Sequence, residues 1–178
     1  QSYAPDTYFF SDSKAHALEY AFHPQNDGRY LYECDVTMNH PLVVDCKNAG
    51  WNNIPTDGFP KDMQHTLDES GYGTSTDCLV NLINDYKLPY DGVIFRNVKD
   101  NLRDLCPVYL TDAGYQYEAF LKQHPQFADR TLRRGITADQ CDYFTNPTSS
   151  YCVLSPSQIQ IRSCIDLSTL PHKETERE

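Results

Sequence analysis

At 178 residues the chain is long enough for one well-buried core and short for two, so a single domain over residues 1–178 is expected. Hydrophobic residues at 39% and 13 tyrosines exclude a disordered chain. With 25 acidic residues against 15 basic ones and a formal charge of −10, the chain has no obvious electropositive face, which argues against nucleic acid as its main partner.

The opening stretch "DTYFFSDSKAHALEYAF" reads as an aromatic strand, a Ser-Asp-Ser turn and a short amphipathic helix. Phe9 and Tyr20 stand eleven residues apart, a separation that a turn and about two helical turns can close. The two rings then form either a slot for a flat heteroaromatic ligand such as nicotinamide or, as aromatic pairs more often do, part of the core.

"RYLYECDVTM", Arg29 to Met38, alternates and is predicted as a strand, and "PLVVDC", Pro41 to Cys46, as a second. Residues 47–73 are rich in Asn, Gly, Pro and Asp and read as a long surface loop, with Trp51 folded back to bury its ring. "GTSTDCLVNLINDYKLPY" predicts a capped helix that stops before Pro89, and a strand follows from about Gly92 to Val98. Residues 102–147 read as a helical insert, in which "TDAGYQYEAFLKQH" has helical spacing and Thr137 with Gln140 makes a capping-box pattern. "YCVLSPSQIQIRSCI" supplies two further apolar runs joined through Pro156. This mixed order lacks regular βαβ alternation and predicts an α+β fold.

The seven cysteines are scattered singly and include no C-x-x-C, so a zinc site has little support. Their number suits up to three disulfides and one free thiol, with Cys106–Cys141 or Cys152–Cys164 as local closures, or else buried reduced thiols. No run approaches the roughly 18 apolar residues of a membrane span, so no membrane partner is expected. Gln1 suits a mature N-terminus, and with the cysteines it points to a secreted or extracellular protein. "GYGTST" lacks the lysine of a phosphate-cradling loop, and neither G-x-S-x-G nor H-E-x-x-H occurs.

"YFFSDSKAHALEYA" resembles the nicotinamide-pocket segment of ADP-ribosyltransferases of the diphtheria-toxin and poly(ADP-ribose) polymerase type. "YLYECDVTMNHPLVVDCKNAGWNNIP", "PYDGVIFRNVKDN" and "YCVLSPSQIQI" follow in the order seen in the ADP-ribosyltransferase-like domains of phage polyvalent proteins, and together the four blocks span Thr7 to Ile161. The resemblance implies a split mixed β-sheet with flanking helices. It also implies NAD as substrate and either mono-ADP-ribosyl transfer to a protein acceptor or NAD glycohydrolysis, in a toxin or effector setting. By this resemblance Tyr20 stacks on nicotinamide, Phe9 is the opposing ring, and Phe10 and Ser11 line the pocket.

Two positions depart from the family pattern. Its first motif, which grips the adenosine ribose, has no counterpart in the six residues before Thr7, and its catalytic glutamate position carries Ser150. A serine cannot stabilise the developing cation of glycosidic cleavage as a carboxylate does. Asp91 is then the substitute acid, with Asp100 behind it, although Asp91 before Gly92 also fits a turn at a strand start. Gln158 and Asn97 are candidates for polar contacts to a ligand or for capping strand ends. The alternative reading is a catalytically degenerate relative that serves as a secreted or virion-associated binding or structural module.

Overall fold

The structure is a computed structural model that describes residues 7–13, 16–17, 30–99, 122 and 147–167. Its described residues form a mixed α+β fold with two sheets and two α-helices. The elements are β1 (Tyr8–Ser11), β2 (Tyr30–Val36), β3 (Pro41–Asp45), α1 (Lys61–Ser70), α2 (Thr76–Asp85), β4 (Gly92–Val98), β5 (Thr148–Val153) and β6 (Ile159–Asp166). Strands β1, β5, β4 and β3 lie side by side in that order, and β2 pairs with β6 in a separate two-stranded sheet.

The chain divides into two compact units, residues 1–12, 34–100 and 147–160 in one and residues 13–33, 101–146 and 161–178 in the other. The first holds the four-stranded sheet and both helices. β3 and β4 are parallel, with Leu42 beside Val93 and Val44 beside Phe95, while β5 runs antiparallel to both β4 and β1. A parallel pair needs a long crossover, and α1 and α2 lie within it. Covered strands of this kind read as nearly continuous apolar runs, as "PLVV" and "GVIF" do. Leu42, Val44, Val93, Phe95 and Cys152 share one sheet face and join Met63 and Leu67 of α1 and Leu79, Val80, Leu82 and Ile83 of α2 in a single buried cluster.

The second helix begins where the hydroxyl run predicts. Ser75 is its N-cap and accepts a hydrogen bond from the Cys78 N–H at 3.2 Å. The predicted loop over residues 47–73 is corrected by α1, which lies inside it. Met63 and Leu67 are one helical turn apart and bury together, and Gly71, at φ 69°, closes the helix in the left-handed conformation that glycine adopts without a Cβ penalty. Trp51 is a second correction. Its carbonyl accepts the Thr76 N–H at 3.0 Å, which fixes the turn while the side chain stays 43% exposed.

Gly58 ends a 3-10 turn, Thr56–Gly58, against the edge of β3, where a Cβ would lie 1.9 Å from the Asp45 carbonyl oxygen. On β4 the register against β5 shifts between Phe95 and Val98, and Asn97 takes φ 53°, a conformation asparagine tolerates better than most residues.

Cys46, Cys78, Cys152 and Cys164 are free thiols. The expected Cys152–Cys164 closure is therefore not formed: Cys152 is buried in β5, and Cys164 is exposed on β6. Cys106 and Cys141, and the proposed insert over 102–147 apart from Lys122 and Pro147, lie outside the described residues.

Candidate functional site

Four residues of β1 place three of the candidate side chains. Along a strand successive side chains point to opposite faces, and directly paired residues on neighbouring strands share a face. Phe9 pairs with Cys152 and Ser11 with Ser150, so both lie on the face that carries Val93 and Phe95. Phe10 pairs with Tyr151 and points to the other face, as does Tyr8, which pairs with Val153. The side chains of Phe9, Phe10 and Ser11 thus cannot line one pocket together. Only Phe9 and Ser11 remain on a common face.

On that face the Phe9 row runs through Cys152 and Val93 to Leu42, and three of its four members are buried. Phe9 ends the row at the β1 side and is 39% exposed. Burial pushes the Cys152 thiol up to about 12, so it is an inert apolar neighbour rather than a nucleophile. The next row holds Ser11, Ser150 and Phe95. Thr148, two residues before Ser150 and therefore on the same face, has a buried Oγ1 that meets no hydrogen-bond partner among the described residues. Thr148 was not foreseen from sequence. The alternation in "TSSYCV" is the signal that joins it to Ser150.

β1 continues into the predicted turn. Asp12 Oδ1 accepts the Ser149 N–H at 3.3 Å, which ties the end of β1 to β5. Ser13 is hydrogen-bonded to the residues that follow it. Its Oγ accepts the His16 N–H at 3.2 Å and its carbonyl accepts the Ala17 N–H at 3.0 Å, and His16 is buried. Tyr20, the ring expected opposite Phe9, lies outside the described residues, as does Asp100.

Asp91 stands just before β4, at the Tyr8 end of the sheet, and its carboxylate has a structural task. Oδ2 accepts the Asn39 N–H at 2.6 Å and Oδ1 accepts the His40 N–H at 2.9 Å. The Asp91 N–H in turn donates to the His40 carbonyl at 3.2 Å. Gln158 completes the clamp. Its Nε2 donates to the carbonyls of Thr37, at 3.0 Å, and Asp91, at 2.8 Å, while its Oε1 accepts the N–H groups of Leu154 and Ser155. One side-chain amide thereby joins three connections of the chain.

Asn97 belongs to the opposite end of the sheet. Its Nδ2 donates to Asp45 Oδ1 at 3.1 Å, where the Lys47 N–H also donates at 2.9 Å. The bond from the Lys47 backbone and then that from Asn97 hold the Asp45 carboxyl below its ordinary value. Gln158 is thus engaged in holding backbone groups and Asn97 in holding the Asp45 carboxylate.

What the Phe9 face offers chemically is a partly open aromatic ring beside a row of hydroxyls. Among its paired residues there is no carboxylate. No group of three or more His, Cys, Asp or Glu among the described residues is placed to hold a metal ion. No family model, no curated protein and no solved structure matches the chain.

Proposed function

We propose that the chain is an ADP-ribosyltransferase-like module that binds NAD, or a ligand sharing its nicotinamide end, against Phe9 and Ser11 without cleaving it. The observation that supports this reading best is the direct pairing of Ser11 with Ser150 beside a partly exposed Phe9, on a face whose paired residues include no acid. The ring gives a flat heterocycle a surface to stack on, and the hydroxyls can donate to or accept from a carboxamide or a ribose. Cleavage of the glycosidic bond develops positive charge on the ribose and calls for a carboxylate aimed at it. Asp91, the candidate acid, already spends both carboxylate oxygens on the Asn39 and His40 amides. The resemblance to ADP-ribosyltransferases supports the choice of NAD, and Ser150 at the glutamate position supports binding over turnover.

Isothermal titration of the full chain with NAD, followed by chromatography of the same mixture for free nicotinamide, tests the proposal. Binding without nicotinamide release is expected. Phe9→Ala should weaken it about tenfold, the scale of one lost aromatic stacking contact of about 1.5 kcal/mol. Nicotinamide release by the unaltered chain would overturn the binding-only reading in favour of a transferase or glycohydrolase. Absence of binding at millimolar NAD would assign the Phe9 face to packing alone.

A further inference from the structure

We draw no further inference here: the strongest candidate, the Asp45, Lys47, Asp57 and Asn97 cluster at the carboxyl ends of the parallel strands β3 and β4, carries nothing because its polar groups are bonded to one another and no second feature among the described residues points to a ligand.

Discussion

Replacing Asp91 by alanine leaves the Asn39 and His40 amides without their acceptor and removes two of the bonds between the β2–β3 connection and the start of β4. Two charge-assisted bonds are lost, but water can reach the freed groups, so the cost should be about 1–2 kcal/mol. Urea denaturation of Asp91→Ala reads this directly. An unchanged midpoint together with a loss of nicotinamide release would return Asp91 to a catalytic role. Asp45 makes a prediction of a different kind, through pH. Its folded-state value lies below the ordinary 3.8, so its bonds to Lys47 and Asn97 stabilise the fold above that value and are lost as the pH falls through the folded one. Asp45→Asn should therefore lower stability near neutrality and flatten its decline under acid, as compared by denaturant midpoints across that range. At this scale the sequence was only partly legible. "YDGV" places Asp91 just before β4, although its carboxylate bonds run to the distant Asn39 and His40 rather than within a local turn, and strand alternation alone is enough to separate Phe10 from Phe9 and Ser11. The pairing of Ser11 with Ser150 depends on a register between distant segments, which no local pattern encodes.

Strand β4 could be read from sequence over the bounds it adopts, and α2 from its hydroxyl cap, because each carries its own periodicity and its own stop signal. Helix α1 was hidden by its surroundings. Pro55, Gly58 and Pro60 mark turns up to its first residue, and only Met63 and Leu67 are apolar enough to mark the buried stripe. Gly58 is where this element pair is most sensitive. In Gly58→Ala the new methyl group meets the Asp45 backbone, which cannot swing aside as a flexible side chain can. The 3-10 turn must then move off β3, at a cost of about 1–3 kcal/mol typical of overpacking. Thermal melting of Gly58→Ala measures it, and a melting temperature equal to that of the unaltered chain would show that the close approach is not maintained in solution.

For the molecule as a whole the cysteines act as internal reporters. Cys46 and Cys152 have no exposed surface, and burial pushes both thiols up to about 12, whereas Cys164 lies open on β6. Since the thiolate is the reactive form, alkylation of the native chain should label Cys164 and spare Cys46 and Cys152 until denaturant opens the sheet. Peptide mass mapping checks this. Equal labelling of Cys152 and Cys164 in the native state, or a peptide pair joining them that is lost on reduction, would contradict a buried and unbridged Cys152. The α+β class was legible at this scale because it follows from the order of element types, while the cysteine spacing suggested a closure that Cys152 and Cys164 do not form.

The pairing of Tyr8 with Val153 also bears on the order of assembly. β3, α1, α2 and β4 follow one another closely and can collapse together, but β5 must arrive before β1 has a neighbour in this sheet. Contacts between such distant segments form slowly, because the intervening chain loses its freedom before the contacts compensate for it. During synthesis the aromatic strand therefore leaves the ribosome long before its partner, and Phe9 takes its place beside Cys152 only after β5 has emerged.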